Sequence, residues 1–364
     1  MSAARSASRL DRMRGSRLFV PIFALAAILL LDLVFVPGFF KLEMKDGHLY
    51  GSLVDILRNS VPTVVLALGM TLVIATGGVD LSVGAVMAIA ASVACILIDP
   101  RIVGVNLQGN ITAVVGDPTY SFMPIPVVIL VSLLAAIVCG LWNGLLVAFF
   151  RIQPMVATLI LMIAGRGIAQ LLTNSTKIII FNDAFAFIGN GFLVLPFSLY
   201  IVVALLVGSW LLTRRTAIGL FIESVGISFR ASLFSGIHEK KVKLFAYAFC
   251  SFCAGVAGLI AVSSIRTSDA NQIGLYTELD AILAVVIGGT LMGAGGRFSL
   301  LGSVIGALII QATQTSMYAV GVAASAITAV KAVMVIVVIL LYSQQVRDVG
   351  NNLSGRLGRK EAAA

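Results

Sequence analysis

The chain has 364 residues, of which 59% are hydrophobic and 11% charged, with a formal net charge of +9 and a mean hydropathy of +1.06. Soluble domains carry about a quarter charged residues, so this composition excludes a wetted globular surface. Apolar runs near the ~20 residues that a bilayer demands recur along the chain and exceed the length of barrel strands. The class expected is an all-α, polytopic helical membrane protein.

Five arginines (Arg5, Arg9, Arg12, Arg14, Arg17) form a basic N-terminus over 1–17 and precede the apolar run 18–36. That run is longer than a signal-peptide core and shows no small-x-small cleavage site. It reads as a retained first membrane helix. Ten spans follow the hydropathy: 18–36, 60–76, 82–98, 126–149, 154–173, 196–213, 244–264, 280–292, 298–317 and 324–341. Together they make one transmembrane domain over 18–341, followed by a tail over 342–364. Pro62, Pro126, Pro154 and Pro196 lie at or near helix starts, where a missing N–H costs least.

Between the second and third spans the apolar sequence is broken by GGVDLSVG. Gly77 and Gly78 suit a helix C-terminus, because glycine adopts the left-handed conformation such ends require. The two flanking helices are each ~25 Å long at 1.5 Å per residue, which makes the segment a tight helix-to-helix reversal. Asp80 then has three readings. It can cap the following helix together with Ser82, couple transport to an ion or proton, or anchor neighbouring helices through a polar contact. Asn143, in LWNG, suits an interhelical hydrogen bond, with a substrate contact as the alternative.

Asp32, Arg166 and Lys331 fall inside spans, and counting residues along their helices puts all three in the outer half of the bilayer. Charges there need partners. They line either an outward-facing mouth, with Glu278 and Asp280 as further candidates, or structural ion pairs and carbonyl contacts. Gly165 and Gly167 flank Arg166 and permit close backbone approach.

The largest internal polar loop, 214–243, is basic and is broken by Gly226 and Gly236. With a cytoplasmic N-terminus, inside segments carry 17 Lys and Arg and outside segments 6. This bias places both termini inside and accounts for the net charge without a nucleic-acid partner. Lipid is the expected surround. The eighth span is too short to cross alone, and the glycine-rich stretch 288–296 after it suits close helix packing rather than phosphate binding. Cys250 and Cys253 form a CxxC with no second pair or histidine cluster, so they read as small packing residues rather than a metal or redox site. No Walker P-loop occurs, and no Ser–His or His–Glu arrangement marks a catalytic site.

Four blocks carry a resemblance: GMTLVIATGGVDLSVGAVMAIA (69–90), NGLLVAFFRIQPMVATLILMIAGRGIAQLLT (143–173), SFRASLFSGI (228–237) and LDAILAVVIGGTLMGAGGRFSLLGSVIGALIIQ (279–311). In this order they resemble the permease subunits of bacterial ABC sugar importers, the ribose/galactose/arabinose group. Within it, ATGGVDLSVGAVMAIA, IQPMVATLILMIAGRGIAQL and the run from DAN to IGG look most like the galactofuranose importer's permease.

The resemblance implies a non-enzymatic subunit of the bacterial inner membrane, without cofactors of its own. ATP and Mg would be held by a partner ABC ATPase subunit. A second permease, identical or related, and a periplasmic sugar-binding protein would complete the assembly. It also implies that loop 214–243 holds a coupling helix docking into the ATPase, with Gly219, Glu223, Gly226, Ser228, Ala231, Ser232 and Gly236 on the motif. The family often has asparagine at the position of Ser228 and alanine at that of Ser232. The rival reading is an ion-coupled secondary transporter working through Asp80 and the broken helices.

Overall fold

The computed structural model describes residues 18–36, 38–45, 48–99, 121–290 and 295–342. The basic N-terminus over 1–17, most of the tail over 342–364 and the centre of the glycine-rich stretch, 291–294, lie outside the described residues. In chain order the helices are α1 (Phe19–Phe35), α2 (Ser52–Ala75), α3 (Val83–Ile98), α4 (Ile125–Ala148), α5 (Pro154–Leu172), α6 (Asp183–Asn190) and α7 (Phe197–Arg214). They continue with α8 (Ala217–Ile227), α9 (Phe229–Phe234), α10 (Glu239–Ile265), α11 (Thr277–Ile287), α12 (Leu300–Ala319) and α13 (Ala324–Tyr342). Two short antiparallel pairs interrupt them: β1 (Glu43–Lys45) with β2 (His48–Tyr50), and β3 (Ile178–Ile179) with β4 (Thr267–Ser268). The chain is thus a polytopic helical membrane protein.

Six helices among the described residues are long and apolar enough to cross a bilayer: α2, α4, α5, α7, α10 and α12. The apolar helices α1 and α3 are shorter. The span expected at 280–292 differs most. Its helix, α11, has 11 residues and is ~16 Å long at 1.5 Å per residue, about half a bilayer. It stops because Gly289 takes φ 87°. The Gly289 N–H then bonds Val286 O at 2.9 Å and the Thr290 N–H bonds Val285 O at 3.2 Å, the paired closure of a Schellman end. In the other direction, α2 begins at Ser52 and α10 at Glu239 rather than at 60 and 244. Both helices continue past the apolar boundary into charged sequence, which hydropathy does not register.

The residues fall into two units, one up to Ala312 and one from Thr313 onward. In the first unit, α10 is the central helix, packed against α2, α3 and α4. Its sequence AYAFCSFCAGVAGLIAVSS is rich in small residues. Without a hydrophobic driving force in lipid, such residues hold helices together by letting backbones approach. Gly69 of α2 lies against Cys250 and Cys253, one helical turn apart on α10, and Gly258 of α10 lies against the backbone of Met87 in α3. Both cysteines are fully buried at this seam. In the second unit, α13 carries Lys331, which is half-buried.

The seam makes a testable demand. A side chain added at Gly258 meets the Met87 backbone, whereas one at Gly208 of α7 meets nothing within 4 Å. Gly258→Leu is therefore expected to destabilise the detergent-solubilised chain by about 1–3 kcal/mol or more, the range for overpacking. Gly208→Leu is expected to leave its melting temperature unchanged. Equal melting temperatures for the two variants would contradict this packing.

Candidate functional site

The reversal between α2 and α3 is the most polar feature of the buried interior. Helix α2 ends in a Schellman motif: Gly77 has φ 82°, its N–H bonds Ile74 O at 2.9 Å, and the Gly78 N–H bonds Val73 O at 3.1 Å. The five residues from Gly78 to Ser82 then turn the chain inside a closely packed environment. Gly78, Asp80 and Ser82 are buried there, and polar groups so buried must find partners within the protein.

Three helices supply those partners. Thr158 of α5 accepts from the Leu81 N–H through its hydroxyl oxygen at 3.1 Å. The Tyr247 hydroxyl of α10 donates to Val79 O at 3.3 Å. Asn143 of α4 donates through Nδ2 to Ser82 Oγ at 2.8 Å and lies 3.5 Å from Asp80 Oδ1. Within the turn, Asp80 Oδ1 accepts from the Ser82 N–H at 2.9 Å and from the Ser82 hydroxyl at 2.6 Å. Asp80, Ser82, Asn143, Thr158 and Tyr247 are all fully buried.

This geometry refines the cap expected at Asp80. Helix α3 starts at Val83, and the residue before it, Ser82, caps nothing with its side chain. Asp80 bonds Ser82 rather than the free N–H groups of the first helical turn. The carboxylate closes a local turn on itself and, through Asn143, joins that turn to α4.

Arg166 lies elsewhere. It is eight residues beyond Thr158 on α5, hence ~12 Å further along the helix. Its Nη1 donates to Ala270 O at 2.8 Å and to Ile273 O at 2.6 Å. One turn on, Gln170 Nε2 donates to Asn271 Oδ1 at 2.6 Å. The side chains of α5 thus grip the loop between β4 and α11. Glu278, 7% exposed, lies within electrostatic reach of Arg166. Gly274 of the same loop packs against Gly84 at the start of α3. Of the two glycines beside Arg166, Gly165 lies against Ala85 and Ile89 of α3, while Gly167 faces open space. Asp32 is buried in α1. Lys331 belongs to the second unit and is described only with it.

In loop 214–243 the motif residues divide between two tasks. Gly219 of α8 lies against the backbone of Thr213. Gly226 lies against Ala75 O at the end of α2 and against the backbone of Gly295 and Gly296. There the Gly296 N–H donates to Ala75 O at 2.8 Å. The space left by these two glycines is taken up inside the chain. Ser228 caps α9, accepting from the Ala231 N–H at 3.3 Å. Ser232 is buried and bonds Ser224 Oγ at 2.8 Å and Ser228 O at 2.9 Å. Of the two departures from the family pattern, Ser228 thus caps α9 and Ser232 ties it to α8. Glu223 is half-buried on α8. Gly236, with φ 77°, ends α9 and faces open space. Ala231 is exposed, as are Phe229, Leu233 and Phe234, the last to 90%.

Sequence reasoning did not find Thr158 or Tyr247, because each meets the turn only through the tertiary fold. It also did not find the outer contact in which Arg58 of α2 donates to Asn190 Oδ1 of α6 and stands 5.8 Å over the Phe192 ring.

A family model described as "Branched-chain amino acid transport system / permease component" matches residues 52–342. The chain belongs to this family and is a permease component of a transport system. It is similar to the galactofuranose transporter permease protein YtfT of Escherichia coli (strain K12), at 47% identity over 327 residues and 89% of each chain. It is similar also to the fructose import permease protein FruF of Bifidobacterium longum, at 36% identity over 96% of this chain and 93% of the relative. The ribose import permease protein RbsC of Escherichia coli (strain K12) is 32% identical over 88% of this chain and 92% of the relative. No solved structure matches the chain.

The clasp around the turn is expected to be cooperative. Asn143→Ala should lower stability by about 1 kcal/mol, the usual worth of a polar contact between membrane helices. In a double-mutant cycle with Ser82→Ala, measured by thermal unfolding in detergent, the two losses should be less than additive. Full additivity would mean that Asn143 acts elsewhere.

Proposed function

We propose that this chain is the membrane-spanning subunit of an ATP-binding-cassette importer in the bacterial inner membrane, with both termini cytoplasmic. It carries a monosaccharide of the galactofuranose, ribose or galactose type. ATP and Mg are bound and hydrolysed by a separate subunit. A periplasmic sugar-binding protein delivers the substrate, and a second permease, identical or related, completes the pathway.

The observation that carries this reading is the build of loop 214–243. Helix α9 is capped at its start by Ser228 and fastened to α8, yet it turns Phe234 outward. A phenylalanine 90% exposed on a short, braced helix is the form of a protein-docking element. The excess of basic residues on this side of the membrane supports a cytoplasmic partner. The names of the relatives favour sugars over the amino acids in the family description. In this reading Arg166 and Glu278 border the outer part of the pathway, and Asp80 and Asn143 hold its inner reversal closed.

Co-expression with the neighbouring ATPase and binding protein, followed by reconstitution in liposomes, tests the proposal. ATPase activity should rise only with sugar-loaded binding protein. Replacement of Phe234 by alanine should weaken the ATPase complex about 30-fold, the 2 kcal/mol of an interface hot spot. Uptake that follows an imposed ion gradient and disappears in Asp80→Asn, with no ATPase bound, would instead establish a secondary transporter.

A further inference from the structure

Where α4, α5 and α10 end on the side of loop 214–243, a cavity of about 430 Å³ opens beside α9. Its floor is apolar, formed by Phe149 after α4 and by Phe229 and Leu233 of α9. Its rim carries Arg151, Lys240 and Lys241. The one carboxylate at the rim, Glu239, is already paired with Lys243. The Lys240 ammonium stands 5.1 Å over the Phe149 ring, which sets positive charge at the border between floor and rim. A second, smaller cavity adjoins it, sharing Arg151, Phe229 and Glu239.

We infer that this cavity binds an anionic phospholipid, with its phosphate on Arg151, Lys240 and Lys241 and an acyl chain on the apolar floor. Two features select that occupant. The first is charge: three cations with no free carboxylate among them complement a phosphodiester rather than a zwitterionic headgroup. The second is continuity. Along α4, Leu134, Val138, Leu141, Leu145 and Phe149 are all exposed. Their spacing of three and four residues makes one apolar ridge running down the helix into the cavity floor. A chain lying on that ridge meets hydrocarbon along its length and reaches charge only at the helix ends, which is the layout of a phospholipid. A water-soluble protein partner would need no such ridge. Because α9 contributes Phe229 and Leu233 to the floor, an occupied site would also brace the helix that presents Phe234.

The test is native mass spectrometry of the full-length chain in detergent, titrated with phosphatidylglycerol or phosphatidylcholine of identical acyl chains. The expected result is preferential retention of phosphatidylglycerol. That preference should fall about 5-fold for each rim charge removed, the worth of one basic residue at an anionic surface. The variants are Lys240→Gln, Lys241→Gln and Arg151→Asn. Asparagine is chosen because Arg151 has φ 57°, a conformation asparagine tolerates. Unchanged elution and unchanged phosphatidylcholine retention report that the variants are folded. If the triple variant does not fold, the singly substituted Lys240→Gln, at an exposed position, carries the comparison.

Equal retention of the two lipids overturns the inference, as does a preference unmoved by the variants. Displacement of phosphatidylglycerol by equimolar glycerol phosphate would show a site for free phosphate. Displacement by added ATPase subunit would show a protein contact. Rim variants that change only the association of two permease copies would show a subunit interface. Each of these three results also overturns it.

Discussion

A polar group that a membrane protein buries away from water must find its partner within the protein. At the turn between α2 and α3, three other helices each supply one side chain as such a partner. Thr158, Tyr247 and Asn143 take up Leu81 N–H, Val79 O and the Asp80–Ser82 pair. Because each partner comes from a different helix, the turn is satisfied only when α4, α5 and α10 are correctly placed around it. The glycines of α4 help make that placement possible, since Gly140 against Ser251 and Gly144 against Leu244 of α10 bring α4 within reach of the turn.

The helical membrane class was legible because hydropathy and length report directly on the bilayer, and most expected spans coincide with helices to within a few residues. The departures have identifiable physical causes. Residues 52–59 contain Asp55, Arg58 and Asn59, so the apolar signal begins at Ser60 while the helix begins at Ser52. A helix needs hydrogen bonds rather than apolar side chains once it leaves hydrocarbon. Conversely, Leu291 and Met292 extend the apolar sequence beyond α11, but the glycine pair Gly288–Gly289 had already ended the helix. Weighing glycine above hydropathy there would have found the boundary.

The polar site was half legible. Asp80 and Asn143 are conspicuous because a carboxylate and an amide are rare among apolar neighbours, and each announces a need for partners. Thr158 and Tyr247 announce nothing. A threonine in a membrane helix commonly satisfies its own hydroxyl on a preceding carbonyl, and Thr158 also donates to Pro154 O at 2.9 Å. Its second role, as acceptor for Leu81, spans 77 positions of sequence and follows only from the packing of α5 on α3. Likewise, the small residues in 214–243 read through the resemblance as letting the loop approach an ATPase, whereas Gly219 and Gly226 are packed against backbone of this chain.

That division of the loop has a mechanical consequence. Ala75 is the last residue of α2, and its carbonyl accepts from the Gly296 N–H beside Gly226 of α8. Two residues later the chain enters the clasped turn. Helix α9 is tied to α8 through Ser232 and Ser224. A force applied to the exposed face of α9 therefore passes through the Ser232–Ser224 hydroxyl pair to α8, and from α8 to the end of α2 by direct backbone contact. Glycine at position 226 is what allows this, since any side chain there would push Ala75 and Gly296 apart. Long side chains at such a junction would absorb a displacement by changing rotamer. Backbone against backbone at Gly226 leaves no rotamer to absorb a displacement between α8 and the end of α2.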